Sequence, residues 1–219
     1  MNILALDTAT ESCSASLLCN DEEFHLGKIA PRQHTELILP MIDELLSEAG
    51  ISKKELDLLA FGRGPGAFTG VRIGIGIIQG LAYALNKPVV AVSSLRILAQ
   101  AYAKEHEYIV ATFDARMGEV YWGCFQTRDG IVHSLDDEQV ITPDSTELPA
   151  NGKFLAVGTG FSAYADKLCK RFENRLTDSF SDVFPSARDL LKLAVYEYDA
   201  GNILQADELM PVYLRNKVV

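Results

Sequence analysis

The stretch from Phe61 to Gly74, FGRGPGAFTGVRIG, limits the folds open to this chain more than any other. The apolar run Leu56 to Phe61 before it reads as a buried strand. Val71 to Leu85 after it reads as a helix despite its glycines. Strand, glycine turn and helix N-terminus together make a backbone surface able to approach phosphate oxygens closely. Gly62, Gly64 and Gly66 supply unusual dihedrals, Pro65 stiffens the turn and Thr69 can cap the helix. Two common phosphate motifs fit badly. A P-loop needs Lys after its closing glycine, where Val71 follows Gly70. For the dinucleotide fingerprint, Gly64, Gly66 and Gly70 are spaced one residue too wide. Glycine serves a tight helix-packing turn as well as it serves phosphate contact, so both readings stand.

The helix beyond the turn carries Gly70, Gly74, Gly76 and Gly80 among Val71, Ile73, Ile75, Ile77, Ile78 and Leu81. Each interior glycine costs roughly 1 kcal/mol of helix propensity relative to Ala. Such a concentration implies that something packs against the backbone itself, whether the chain's own sheet or a partner helix. Arg72, Gln79 and the following Asn86 and Lys87 interrupt the apolar run, which leaves it short of a membrane span.

Composition narrows the functions. The chain has 30 acidic and 20 basic residues, a net charge of -10, over 219 residues. Tight nucleic-acid binding relies on Lys and Arg displacing counterions from phosphates, and no basic run appears here. Cys13, Cys19, Cys124 and Cys169 form neither a CxxC pair nor a dense disulfide framework, and the apolar run Ile3 to Leu6 is cut short by Asp7. A reduced, cytoplasmic protein is expected. His34 has no ligand partner at helical spacing and reads as a helix-start residue rather than a metal ligand.

Taken in order, the chain describes one pattern twice. Met1 to Leu6 is an apolar run ending at Asp7-Thr8-Ala9-Thr10, and Ser12 to Leu18 alternates like a strand. Phe24 to Ile29 adds a strand. His34 to Glu48 reads as an amphipathic helix with Leu37, Ile38, Met41, Ile42, Leu45 and Leu46 on one stripe, Thr35 as cap and Gly50 as stop. Ser52 and Glu55 form a capping box. Val89 to Val92 is buried strand, and Ser93 and Ser94 cap a helix through about Lys104. Tyr108 to Phe113 then runs to Asp114, Glu119 to Phe125 is strand-like again, and Ile131 to Ile141 adds a strand. A second glycine turn, Val157 to Gly160, leads into a helix from about Ser162 to Cys169, and Ser186 with Asp189 caps another to about Tyr198. We read a weak internal duplication into an N-terminal lobe, 1-105, and a C-terminal lobe with the tail, 106-219. Paired lobes with acidic hairpins suit a ligand cleft, with Asp7, Thr10, Gly64, Gly66 and Thr69 as candidate nucleotide-binding residues.

MNILALDTAT at the start, Gly64 to Gly74 in the middle and Pro211-Val-Tyr-Leu-Arg215 at the end resemble the bacterial TsaB family, also called YeaZ. The resemblance runs nearly end to end. It implies an α/β actin-like ATPase fold (the ASKHA, ribonuclease-H-like class) of two duplicated lobes. It implies a role in making threonylcarbamoyladenosine beside the anticodon of tRNA, as the non-catalytic partner of the transferase TsaD together with the ATPase TsaE. The catalytic paralogue carries an Asn-His-x-x-x-His metal motif after the strand corresponding to Val89 to Val92. Here Ser94 and Leu98 stand in the histidine places, so neither a metal site nor catalytic residues are expected. The resemblance places the partner contact on the first two long helices, with Leu37, Met41, Leu45, Gly70, Arg72, Gly74, Ile75 and Ile78 as interface candidates. It implies homodimers when the partner is absent, tRNA contact only through the complex, and no membrane. No cofactor is expected to bind tightly, ATP or ADP being placed at the complex interface. The competing expectation is an independent actin-like-fold ATPase or small-molecule kinase using Asp7, Thr10, Asp114 and the glycine turns.

Overall fold

A computed structural model describes residues 1–215. Its first sheet has five strands: β1 (Ile3–Asp7), β2 (Ser12–Cys19), β3 (Glu22–Ile29), β4 (Leu58–Gly62) and β5 (Val89–Val92), in the order β3-β2-β1-β4-β5. The hairpin pairs β1-β2 and β2-β3 are antiparallel, while β1-β4 and β4-β5 are parallel. The parallel steps need crossovers, supplied by α1 (His34–Glu48) and α2 (Phe68–Leu85). The second sheet contains β6 (Tyr108–Arg116), β7 (Glu119–Arg128), β8 (Ile131–Ser134), β9 (Gln139–Ile141), β10 (Phe154–Val157) and β11 (Leu176–Phe180). Its order is β11-β10-β6-β7-β8, with β9 also paired to β7. Again the hairpin strands are antiparallel and β6-β10-β11 are parallel. Read from its hairpin edge, each sheet has the same connectivity. The duplicated α/β two-lobe architecture expected of the actin-like class is therefore present.

The remaining helices are α3 (Ser94–Gln100), α4 (Thr159–Ala163), α5 (Ala165–Phe172) and α6 (Ala187–Asp199). Of these, α3 and α6 lie at the boundaries of two compact units. One comprises Met1–Ile97 with Pro185–Val212, the other Leu98–Phe184 with residues 213–215 of the tail. The expected division at residue 105 differs from this in two ways. The chain leaves the first unit within α3, and α6 returns to it. The return has a physical cause. α6 packs on β1, β2, β4 and β5, and its first amide, Ala187 N–H, donates to Ser14 Oγ at 3.0 Å. Hence Ser14 and Ser16 are buried, although their alternation with Cys13, Ala15 and Leu17 is that of a half-exposed strand. α1 and α2 cover the opposite, apolar face through Ile38, Ile42, Leu45, Ile75 and Ile78.

Local readings mostly hold, with shifts at the ends. α1 spans the expected residues and continues through Pro40, but its N-cap is Gln33 rather than Thr35. His34 is buried at the start of α1 and its Nε2 lies 2.9 Å from Thr10 O, so it ties the helix to the β1–β2 turn. Ser52 and Glu55 make the expected capping box, on a 3-10 turn. α3 is shorter than expected. The strand expected over Ile131 to Ile141 divides into β8 and β9, and the helix after Gly160 divides into α4 and α5. β11, which had no counterpart in the sequence reading, completes the second sheet.

Candidate functional site: the glycine loop and the outer face of its helix

The loop between β4 and α2 is shaped by close approach to the β1–β2 turn. A Cβ on Gly62 would lie 1.7 Å from Asp7 Oδ2, one on Gly66 2.1 Å from Ala9 O, and one on Gly70 2.1 Å from Thr8 O. No side chain larger than hydrogen fits at those distances. Two hydrogen bonds fix the same contact: Ala67 N–H donates to Ala9 O at 2.7 Å, and Thr8 Oγ1 donates to Gly70 O at 2.8 Å. Gly64 alone requires a left-handed backbone, with φ 86. Its carbonyl accepts from Ser94 N at 2.8 Å, which ties the loop to the start of α3.

The candidate nucleotide residues are therefore largely occupied by their own fold. Asp7 is fully buried. Its Oδ1 accepts from Ala9 N at 3.0 Å and its Oδ2 from Ser94 Oγ at 2.8 Å. Burial drives its carboxyl up to about 6, and the two hydrogen bonds only partly oppose that rise. Thr10 is buried and accepts from Ser12 N at 3.3 Å. Gly64 is buried and Gly66 half-buried, each committed as described. Thr69 is exposed but does not cap α2, because the helix begins at Phe68 with Ala67 as N-cap.

The interface candidates fall into two sets. Leu45 and Ile78 are wholly buried and Ile75 nearly so, all three inside the core between α1, α2 and the first sheet. Gly70 and Gly74 also face inward, the latter against Thr8 Oγ1 and Leu6. These five positions belong to the core of the unit, which corrects the expected phase of the helix. Leu37 and Met41 are half-buried at its margin. Only Arg72 is exposed, with its guanidinium stacked over the Phe68 ring at 3.7 Å from the centroid.

The true outer face runs one row away. Arg72, Gly76, Gly80 and Tyr83 follow one another at helical spacing, flanked by half-buried Ile73 and Ile77. Among the described residues, an added Cβ on Gly76 or Gly80 would meet nothing within 4 Å. Tyr83 is 84% exposed, Phe68 49%, and Leu39 on α1 51%. This is an apolar strip of bare backbone bordered by large side chains. The sequence did contain the signal: glycines recur at two helical phases, Gly70/Gly74 and Gly76/Gly80, and only one phase can face the sheet. By length and composition alone α2 is long and apolar enough to cross a membrane, contrary to the expectation from Arg72 and Gln79, yet it packs here against its own sheet.

At the two positions that the family resemblance set against histidines, Ser94 donates to Asp7 and Leu98 is buried. Among the described residues no three His, Cys, Asp or Glu side chains converge as a metal site.

The profile of the family described as TsaD, tRNA N6-adenosine threonylcarbamoyltransferase, matches residues 26–206. A relative from Haemophilus influenzae, named tRNA threonylcarbamoyladenosine biosynthesis protein TsaB, is 42% identical over 100% of this chain and 95% of its own length. The protein of the same name from Escherichia coli is 41% identical over 100% and 96%. The chain belongs to the TsaB family. The solved structure of YeaZ from Pseudomonas aeruginosa agrees, superposing with TM-score 0.89 at 41% identity over 97% of this chain and 99% of that one.

Proposed function

We propose that this member of the TsaB family is a non-catalytic cytoplasmic subunit in the synthesis of threonylcarbamoyladenosine on tRNA. In this reading it carries the larger TsaD-like transferase on the outer face of α2 and the adjoining part of α1, and works with a TsaE-like ATPase. The observation that carries the proposal is the Gly76/Gly80 strip. Two glycines in a helix interior cost roughly 2 kcal/mol of propensity between them, and among the described residues nothing approaches them closely enough to need the missing side chains. A partner helix lying along the strip supplies the reason, since absent side chains let two backbones come near. Phe68, Tyr83 and Leu39 at its borders are apolar anchors of the kind that dominate interfaces.

The independent ATPase is the weaker reading. It would rely on Asp7, whose two oxygens accept hydrogen bonds from Ala9 and Ser94 inside the core. ATP or ADP, where used, belongs in our reading to the assembled interface beside Thr69 and Arg72. With a net charge of -10, the chain meets tRNA through its partners.

The test is Gly76→Leu/Gly80→Leu, co-expressed with the transferase paralogue. Both side chains enter open space, so circular dichroism and thermal stability of the isolated chain are expected to hold or improve. Co-elution with the transferase, and threonylcarbamoyladenosine in tRNA measured by mass spectrometry, are expected to collapse together. A double variant that still assembles and still supports modification would refute the proposed face.

A further inference from the structure

The two edges of the first sheet are treated differently. At β5, Val89 and Leu204 exchange backbone hydrogen bonds of 2.9 and 2.8 Å, so the segment after α6 covers that edge. At the opposite edge no strand among the described residues lies beyond β3. Natural edges are usually blunted by shortness, a bulge, proline or charged side chains. β3 has only the last of these. It is eight residues long, contains no proline, and keeps an unbroken register with β2 from Ser12↔Ile29 to Cys19↔Glu22.

Its charges are ordered. Glu22 and Glu23 stand at one end and Lys28 at the other. Glu22 and Lys28 share the face on which Phe24 and Leu26 pack toward the core, while His25 lies on the other face with Nδ1 2.8 Å from Ser16 Oγ. When two copies of this strand meet antiparallel about a twofold axis at His25, Glu22 of each falls opposite Lys28 of the other. Phe24 then falls opposite Leu26. The next twofold register to one side puts Lys28 opposite Asn20, and to the other side opposite Phe24, so both lose the charge pairing. Direct cross-strand pairs of opposite charge stabilise a ladder and fix its register.

We propose that β3 is a self-pairing edge: two copies of the chain join antiparallel about His25, continuing one sheet into the other with Glu22–Lys28 pairs at both ends. The occupant is a second copy because the charge order is complementary to itself. A seven-residue ladder is only about 24 Å long and falls at the small end of interface sizes, so the association is weak and concentration-dependent. It is independent of the α2 strip, and can stand or fall without the proposal made for that face.

Sedimentation equilibrium of the full chain at low ionic strength, from about 1 to 200 μM, tests it in the Gly76→Leu/Gly80→Leu background. That background removes self-association through the helical strip. Expected is a reversible dimer that Lys28→Glu weakens tenfold or more and that the swap Glu22→Lys/Lys28→Glu restores, with circular dichroism unchanged throughout. Amide exchange in β3 should slow as concentration rises. A monomer across the whole range, a dimer indifferent to Lys28→Glu, or a swap that restores nothing would each overturn the proposal.

Discussion

Asp7 and Asp114 lie at matching places in two sheets of the same connectivity, and each begins with the same backbone device. Oδ1 of Asp7 accepts from the amide two residues on, Ala9 N at 3.0 Å, and Oδ1 of Asp114 accepts from Arg116 N at 2.8 Å. The second oxygens part company. In the first unit Oδ2 takes the Ser94 hydroxyl, and the carboxyl is sealed beneath Gly62. In the second unit Oδ2 pairs with its own neighbour's guanidinium, Arg116 Nη1 at 2.9 Å, on a side chain still 17% exposed. Where the first unit presses its glycine strand-end onto the carboxylate, the second presses Gly158 onto Thr112 O, at 2.1 Å from an added Cβ. One motif has become core; the other has remained near the surface. A shared acidic turn is therefore no measure of shared chemistry.

The largest effect is expected at the glycine that seals the first turn. Gly62→Ala puts a methyl 1.7 Å from Asp7 Oδ2 and 2.9 Å from Ser94 Oγ. Overpacking without room to yield costs about 3 kcal/mol or more, so the variant should be largely unfolded or shifted far down a urea titration. The matching turn of the second unit offers the control. Gly118 has φ 82 but open space around its Cβ position, so Gly118→Ala meets only backbone strain, about 1 kcal/mol. Equal losses at the two sites would erase the distinction between a sealed and an open turn.

Asp7→Asn comes next, and its sign depends on pH. The folded carboxyl stands at about 6 against 3.8 for the free group, raised by burial. The raised value means that the fold favours the protonated form. Its stabilising contribution is full below about 3.8 and is lost as pH climbs through 6. At 1.36 kcal/mol per unit the change is ~3 kcal/mol across that window. Asn keeps the acceptor for Ala9 N and offers its amide to Ser94 Oγ, so Asp7→Asn should flatten most of the slope between pH 4 and 7 and exceed wild type in stability at pH 8. Asp189 is also raised to about 6 by burial and accounts for a slope that remains. Denaturation at a series of pH values reads this directly. A less stable variant at pH 8 would mean that Asp7 is held ionised by something beyond Ala9 and Ser94.

How far the sequence foretold this contrast can be judged residue by residue. The duplicated order was legible because each unit opens with an apolar run, an aspartate and an alternating strand. α1 was legible to its ends because its apolar stripe stops at Gly50, whose φ of 68 suits a helix terminator. The inward phase of Gly70, Gly74, Ile75 and Ile78 was not, because it is decided by where Thr8 sits, its carbonyl against Gly70 and its hydroxyl donating to Gly70 O, a contact between residues 62 positions apart. Ser94 was recognised as a missing histidine but not as the donor to Asp7, which lies 87 positions away. β11 escaped because LTDSF has apolar side chains only at its ends, and its pairing with β10 begins with a register shift. The return of α6 to the first unit likewise has no local signature. Periodicity reveals which residues of an element share a face, while what covers that face is a long-range fact.

Asp114→Asn should give the smallest effect and is the finest test of the comparison. The ion pair it removes joins Asp114 to an Arg116 side chain that is 75% exposed, where solvent and salt screen the attraction. Asn retains the acceptor for Arg116 N and can still meet the Tyr164 hydroxyl, 3.5 Å from Oδ1. A loss of about 0.5 kcal/mol is expected, within the range for exposed pairs, and it should shrink further in 1 M salt. A double-mutant cycle with Arg116→Ala isolates the pair from the turn. A coupling near 3 kcal/mol, unaffected by salt, would show the second turn to be as sealed as the first. Asp7 and Asp114 would then differ only in the partner each holds, not in how deeply the fold has absorbed them.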